Sequence, residues 1–113
     1  MLIYKIFAAD EWAALDRDGA TDGAPIDLAD GYIHFSTAAQ ARETAAKHFA
    51  GREGLVLAAV EGDALGDRLK WEVSRGGALF PHLYAPLRRE DVRWVADLPL
   101  GSDGAHVFPE AMA

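Results

Sequence analysis

The sequence contains no cysteine. Disulfide bonds and thiolate chemistry are therefore excluded, and cysteine usage says nothing about the redox compartment. Long apolar runs are missing as well, since none approaches the roughly 20 residues that a membrane-spanning helix needs. The first residues also lack the charged-then-apolar layout of a signal peptide. We therefore expect a cytoplasmic protein that does not insert into a membrane.

Basic residues are scarce, with 11 Lys and Arg against 18 Asp and Glu and a formal net charge of −7. Nucleic acids and anionic membranes bind basic surfaces, so this excess of acid argues against both partners. A chain of 113 residues is long enough for one hydrophobic core and too short for two. We expect a single domain over residues 1–113 with an irregular tail over 99–113. Its expected partner is a small-molecule ligand, and its oligomeric state stays open.

Hydrophobic patterning predicts the order strand, helix, loop, strand, helix and then four strands. Residues 2–7 are typical of a strand buried on both faces, and a short helix that Asp10 caps is expected to end at Asp18-Gly19. Residues 18–31 are predicted to be a loop, either a binding segment or a plain acidic connector. Together, these elements predict an α+β domain with two helices and a mostly antiparallel twisted sheet.

Four strands are predicted in the second half of the chain. Residues 55–60 are an uninterrupted apolar run, typical of a central strand. Leu69, Trp71 and Val73 alternate with polar residues, which predicts a half-buried strand. The prolines within residues 80–87 predict an edge or bulged strand, and a last strand is expected over 92–98.

The stretch Tyr32-Ile33-His34-Phe35-Ser36-Thr37 predicts a strand that runs directly into a helix. Alternation places Tyr32, His34 and Ser36 on one face and the two apolar residues on the core face. Thr37 with glutamine three residues later is typical of a capping box, so a helix is expected from there to about residue 49. A helix N-terminus favours anionic ligands. We therefore predict a binding site here, with Tyr32, Ser36 and Thr37 contacting the ligand.

A second aromatic run carries another histidine. Phe80, His82 and Tyr84 share a face, and such a wall suits the stacking of a planar ring, so Phe80 and Tyr84 are further candidate ligand-binding residues. His34 and His82 are candidate catalytic residues, and the alternative for each is a hydrogen-bonded structural histidine. The other histidines, His48 and His106, are expected on the surface.

Glu72 is the best candidate for a catalytic carboxylate. It lies either on a solvated outer face beside Lys70 or in a cleft with His34, where it would act as a base or stabilise developing positive charge. His34, His82 and Glu72 would also make a two-histidine, one-carboxylate metal set. No pair of ligands at short spacing supports that set, so no metal site is expected.

The two runs at residues 32–37 and 80–87 resemble the paired signature of the bacterial domain-of-unknown-function family 952. The likeness extends from the first strand to Trp94, although Ala85 stands where the family has glycine. The resemblance implies a fold like that of the ADP-ribosyltransferases, a group that splits NAD or transfers its ADP-ribose.

In that group an early strand carries a histidine, often followed two residues later by Ser or Thr, which holds the nicotinamide-side ribose and amide. His34 and Ser36 match this pattern. The resemblance further implies an aromatic residue that stacks on nicotinamide, here Tyr84 or Phe80. It also implies a group that stabilises an oxocarbenium-like centre, here Glu72 or His82. NAD would be a cosubstrate, and no covalently bound cofactor is implied.

Our leading hypothesis is an ADP-ribosyltransferase-like domain that binds NAD or an ADP-ribose-like nucleotide and cleaves or transfers at the nicotinamide ribose. One alternative is a noncatalytic sensor module that binds a small ligand in the same pocket. Another is a metal-assisted hydrolase. Whether the chain is an enzyme is left open by the sequence.

Overall fold

Three antiparallel sheets and three α-helices make up the part of the chain that the structure, a computed structural model, describes: residues 1–112 without the side chain of Arg75. The α+β class is as predicted. The elements are β1 (Leu2–Ala8), α1 (Ala9–Asp18), β2 (Ala20–Thr21), α2 (Pro25–Asp30), β3 (Ile33–His34), α3 (Ala38–His48), β4 (Leu55–Glu61), β5 (Leu69–Val73), β6 (Leu79–Leu83), β7 (Leu87–Arg88) and β8 (Val92–Leu98).

The first sheet has the strand order β1-β4-β8 and carries core on both faces. On one face Tyr4 and Leu57 pack with Ala41 and Ala45 of α3. The small side chains of that helix allow it to lie close to the strands. The apolar run of β4 predicted a central strand, and β4 is central because both of its faces are covered.

The second sheet, in the order β3-β6-β5, positions the candidate site. Two backbone hydrogen bonds of 2.8 Å between Tyr4 and Ser36 attach it to the edge of β1. The predicted alternation is confirmed on the core side, since Ile33 and Phe35 are each 2% exposed and belong to the core between the two sheets. The opposite face of β3 is therefore turned away from this core.

The prediction of an edge or bulged strand over 80–87 is wrong. β6 lies between β3 and β5, and the chain returns to a separate two-residue strand, β7, after Pro86. Pro81 has no N–H to donate, but its carbonyl accepts a 3.0 Å hydrogen bond from the N–H of Phe35. Since β3 is only two residues long, one missing N–H costs this short ladder little.

The half-buried strand that was predicted over 69–74 presents its apolar side chains to solvent. Trp71 is 41% exposed and Val73 is 69% exposed. Leu69 still packs against the core at one end of β5, next to its partner Leu83. The core ends there, so the alternation that marks a strand does not here mark a buried face.

The predicted loop over 18–31 contains the short strand β2 and the helix α2. Pro25 stands within the first turn of α2, and Gly31 ends it with φ +87. Proline just inside the start and glycine just past the end are helix boundary signals, so the sequence did contain the evidence for this helix. The domain thus has three α-helices over the described residues where two helices were predicted.

The helix α1 begins one residue before the predicted cap at Asp10. Its first turn is closed by Glu11, whose carboxylate accepts a 2.8 Å hydrogen bond from the N–H of Ala8. The reciprocal arrangement at α3 is as predicted: Thr37 Oγ1 accepts from the N–H of Gln40, and Gln40 Oε1 accepts from the N–H of Thr37.

Removing the α3 cap gives a first testable prediction. Thr37→Ala leaves the N–H of Gln40 without its acceptor, so the free energy of unfolding should fall by about 1 kcal/mol. Urea denaturation of the parent and the variant measures this. Ser102→Ala, at an exposed position, is the control and should change stability by less than about 0.5 kcal/mol. Equal effects of the two substitutions would contradict a stabilising cap.

Within residues 1–112, every helix is too short or too polar to cross a lipid bilayer.

Candidate functional site

A cleft of about 470 Å³ opens between β1, α3 and the second sheet. Its walls combine aliphatic and aromatic side chains with about as many polar or charged ones. The residues that line it are Tyr4, Lys5, Ile6, Ile26, Asp27, His34, Phe35, Ser36, Ala41, Thr44, His48, Phe49, Ser74, Phe80 and His82.

The two candidate histidines lie side by side in this cleft. His34 and His82 are register partners across β3 and β6, and their ring centroids are 5.4 Å apart. Tyr32 stacks on the His82 ring at 4.1 Å and contacts the His34 ring at 4.7 Å. Residues that face each other across strands share a side of the sheet, so the pairing of β3 with β6 is what brings the two imidazoles together.

A buried carboxylate that the sequence interpretation missed, Asp27 of α2, is only 1% exposed. Asp27 Oδ1 lies 2.6 Å from the ring nitrogen Nδ1 of His34 and accepts a 3.1 Å hydrogen bond from the backbone N–H of the same residue. Asp27 Oδ2 accepts a 2.8 Å hydrogen bond from the backbone N–H of Ala24. Gly23 lies so close that a Cβ there would be 2.5 Å from the Asp27 side chain. Glycine at position 23 therefore makes room for the carboxylate.

Asp27 is held in its charged form. Burial alone would raise its pKa, but the hydrogen bond from His34 and the charge of Lys5 outweigh burial and lower the pKa from 3.8 to about 2. Asp27 therefore stays ionised over the whole physiological range.

Lys5 is the cation that pairs with this carboxylate. It is 7% exposed, and its Nζ lies 3.0 Å from Asp27 Oδ2 and donates to the carbonyl of His34 at 3.2 Å. A buried lysine needs a paired charge. The one Lys inside the apolar run 2–7 was thus a signal for a buried acid elsewhere in the chain, although it did not say which acid.

His34 has a carboxylate at each ring nitrogen. Nδ1 faces Asp27, and Nε2 lies 3.0 Å from Asp30 Oδ2. Both contacts are hydrogen bonds at once only when both ring nitrogens carry hydrogen. A ligand that contacts His34 through Nε2 must therefore take the place of Asp30, whose side chain is 41% exposed.

Among the residues that the structure describes, Glu72 is the carboxylate that contacts His82. Its Nδ1 lies 2.9 Å from Glu72 Oε1, and the same oxygen accepts a 2.6 Å hydrogen bond from the Tyr84 hydroxyl. These hydrogen bonds, from Tyr84 first and then from His82, lower the pKa of Glu72. Reciprocally, the hydrogen bond to Glu72 raises the pKa of Tyr84 to about 12.

The structure brings together some of the predicted site residues and separates others. His34, Ser36, Phe80 and His82 line the cleft. Tyr32 contacts both histidines but belongs with Tyr84 to a neighbouring depression of about 290 Å³. The other predicted site residues, which do not line the cleft, are Tyr32, Thr37, Glu72 and Tyr84.

Thr37, at the start of α3, does not line the cleft, although it was predicted to contact the ligand. Thr37 and Gln40 use their side chains to close the helix end, and α3 instead contributes Thr44 and His48 from its side. Thr44 Oγ1 lies 3.2 Å from Ser36 Oγ. His48 is exposed, as expected of a surface residue, yet it also forms part of the wall.

Over the described residues, no group of three or more His, Asp and Glu side chains is arranged to hold a metal ion. In the metal set that the sequence suggested, the Glu72 carboxylate contacts Nδ1 of the His82 ring. The geometry gives the metal-assisted hydrolase no support.

Comparison with known proteins identifies relatives but no activity. The chain resembles protein CC0527 of Caulobacter crescentus, whose crystal structure is 52% identical in sequence, with a TM-score of 0.94 over 99% of this chain and 98% of that one. The solution NMR structure of CC0527 is 56% identical over 92% and 90% of the two chains, with a TM-score of 0.84. No match was found among curated proteins. Residues 6–95 match the model of a family described as "Protein of unknown function (DUF952)". Since this match spans most of the chain, the protein belongs to the DUF952 family.

Proposed function

We propose that this domain has the ADP-ribosyltransferase-like fold and binds NAD or an ADP-ribose-like nucleotide, with the nicotinamide and its ribose in the cleft. The observation that carries the proposal is the cross-strand pair of His34 and His82, which line one cleft together with Phe80. Two imidazoles and an aromatic ring on one wall suit a ligand that joins a planar ring to a sugar.

The dimensions of the cleft agree with such a ligand. Its volume of about 470 Å³ lies within the roughly 300–1,000 Å³ of small-molecule sites. Most of the surface of its wall is apolar, as those sites generally are, and a planar ring would meet Phe80, which is 7% exposed. The neighbouring Tyr32 and Tyr84 rings, 5.3 Å apart, extend the aromatic surface beyond the cleft.

The polar groups in the cleft provide hydrogen bonds in a small area. Ser36 and Thr44 contribute hydroxyl groups, and Lys5 contributes a buried cation. His34 and Ser36 are the two positions that match the resemblance to the ADP-ribosyltransferase-like group. These roles rest on that resemblance together with the shared cleft.

Cleavage or transfer at the nicotinamide ribose is the reaction that such a site would support. One observation favours the second candidate, a noncatalytic sensor module. Glu72, which would stabilise an oxocarbenium-like centre, lies outside the lining of the cleft and is bound to His82 and Tyr84. A sensor module that binds the ligand without turnover is therefore kept as the second candidate.

Thermal unfolding with NAD, ADP-ribose and nicotinamide tests the binding proposal. A ligand of the folded state should add about 2.7 kcal/mol of stability at a hundredfold excess over its Kd. His34→Ala should weaken the response, whereas His106→Ala, outside the cleft, should leave it unchanged. If millimolar NAD and ADP-ribose leave the melting temperature of the parent protein unchanged, the proposal is wrong.

The contact between Asp30 and His34 gives a prediction about affinity. Asp30→Asn removes a negative charge beside His34 Nε2, the ring nitrogen that a ligand would contact by displacing Asp30, and it should tighten NAD binding by up to about tenfold. Isothermal titration calorimetry measures this change. Asp103→Asn removes the same charge far along the chain, at an exposed position, and is the control. Weaker binding by the Asp30 variant would show that this carboxylate helps the ligand and does not compete with it.

A further inference from the structure

We propose that His82 is the general base of this site: its Nε2 accepts a proton from a hydroxyl group in the cleft, and Glu72 and Tyr84 are positioning residues that fix the ring. The inference rests on the proposed function for the identity of the reaction. It extends that function by assigning the base and the class of group that the base takes, a water or alcohol hydroxyl.

The hydrogen bonding of His82 supports this assignment. The ring is 2% exposed, lines the cleft and is covered on one face by Tyr32. Its Nδ1 faces the Glu72 carboxylate at 2.9 Å. An ionised carboxylate only accepts hydrogen bonds, so Nδ1 must carry the hydrogen, and the neutral ring keeps its lone pair on Nε2.

The Nε2 atom of His82 has no hydrogen-bond partner in the part of the chain that the structure describes. A buried polar atom without a partner is unusual in a folded protein. Since the ring forms part of the cleft wall, a ligand hydroxyl is the group that would satisfy it.

The carboxylate that orients His82 is itself held in place. Glu72 Oε1 accepts from the Tyr84 hydroxyl at 2.6 Å, and this second donor limits the rotation of the carboxylate. The order Tyr84, Glu72, His82 is a chain of two hydrogen bonds that ends at the free ring nitrogen. A carboxylate behind an imidazole also stabilises the imidazolium that forms when the ring takes a proton.

The two histidines of the cleft therefore differ in what they offer. Both nitrogens of His34 lie against carboxylate oxygens, those of Asp27 and Asp30. Only one nitrogen of His82 is engaged in this way. Of the pair, His82 is the residue with an acceptor nitrogen left for the ligand.

One base suffices for cleavage at the nicotinamide ribose. The oxygen of water forms a bond to the ribose carbon, the bond from that carbon to the nicotinamide nitrogen breaks, and nicotinamide leaves as a neutral molecule with the bonding electron pair. The proton of the attacking water passes to His82 Nε2 and later to solvent. Since the leaving group needs no proton, the site requires no general acid.

The tautomer of His82 is the first test, and it needs no ligand. Nitrogen-15 NMR of the neutral ring should show a pyridine-type shift for Nε2 and a pyrrole-type shift for Nδ1. In Glu72→Ala, which leaves Nδ1 without its side-chain acceptor, the preference should be lost, so that the two shifts move toward each other. A pyrrole-type Nε2 in the parent protein would overturn the inference, as would an unchanged tautomer in the Glu72 variant.

Nicotinamide release from NAD is the second test. Glu72→Gln should retain NAD binding within about twofold while the rate falls by about a hundredfold or more, the usual contribution of a general base, and Tyr84→Phe should lose less. Glu53→Gln, the same change at an exposed position, is the control. A rate unaffected by Glu72→Gln, or no release by the parent, would overturn the inference. Absence of NAD binding, with the expected tautomer present, would instead contradict the proposed ligand.

Discussion

Asp27→Ala is expected to lower the free energy of unfolding by about 3–5 kcal/mol, because it leaves Lys5 as a buried charge without its partner. The two side chains are 1% and 7% exposed, and the atoms that join them are 3.0 Å apart. The substitution also removes the acceptor for two N–H groups, those of Ala24 and His34. Few single changes on this chain should cost as much.

Urea denaturation of matched variants measures this loss. Asp16→Ala removes a carboxylate that pairs with Arg89 on the surface at 2.8 Å, and it should cost less than about 1 kcal/mol. Adding Lys5→Met to Asp27→Ala should recover part of the stability, because the unpaired charge is then gone. If Asp27→Ala costs no more than Asp16→Ala, the buried pair does not stabilise the fold.

Lowering the pH should also reduce the free energy of unfolding, because it protonates the Asp27 carboxylate. The pKa of Asp27 is about 2 in the folded protein, and the ordinary value is 3.8. A group whose pKa is lowered by folding stabilises the fold above its ordinary pKa and loses that effect as pH falls through the folded value. At about 1.4 kcal/mol per pKa unit, Asp27 should contribute about 2 kcal/mol at neutral pH. This contribution should disappear between about pH 4 and pH 2.

The comparison of the parent protein with Asp27→Ala isolates this effect from the other acids that titrate in the same range. Unfolding free energies measured from pH 7 to pH 2 should converge for the two proteins as the pH falls, apart from the acceptors lost in the variant. A difference that stays constant from pH 7 to pH 2 would show that the ionisation of Asp27 is not linked to folding.

These two predictions concern the candidate site as well as stability. Asp27 holds Lys5 in the cleft wall and orients the backbone and ring of His34. Loss of the carboxylate should therefore disturb ligand binding even where the fold survives. Asp30, which contacts only the outer nitrogen of His34, offers the way to change the site without this cost.

Local patterns in the sequence were sufficient for most of the elements. The apolar runs of β1 and β4 predicted buried strands, and the Thr37 and Gln40 spacing predicted the start of α3 from two short-range hydrogen bonds. The α2 helix was not predicted, although Pro25 and Gly31 mark its ends, because the acidic and glycine-rich composition of residues 18–31 is also typical of a loop.

Local patterns in the sequence did not predict which strand faces are exposed or which strands pair with each other. The alternation at Trp71 and Val73 has a period of two whether or not anything covers that face. The prolines of residues 80–87 predicted an edge strand, because proline has no N–H to donate to an inner ladder. The sequence does not show that the partner strand β3 has only two residues, so that the missing N–H costs little.

The sequence by itself determined the α+β class and the strand–helix junction at residues 32–37. It also determined that each of the two histidines shares a strand face with aromatic neighbours. Only the tertiary structure decided that β3 pairs with β6, that Asp27 and Lys5 meet in the interior, and that Glu72 orients His82 from outside the cleft. The physical reason is range: strand alternation and helix capping act within a few residues, whereas these contacts join residues 10 to 50 positions apart in the chain. Such contacts exist only after the sheets have assembled.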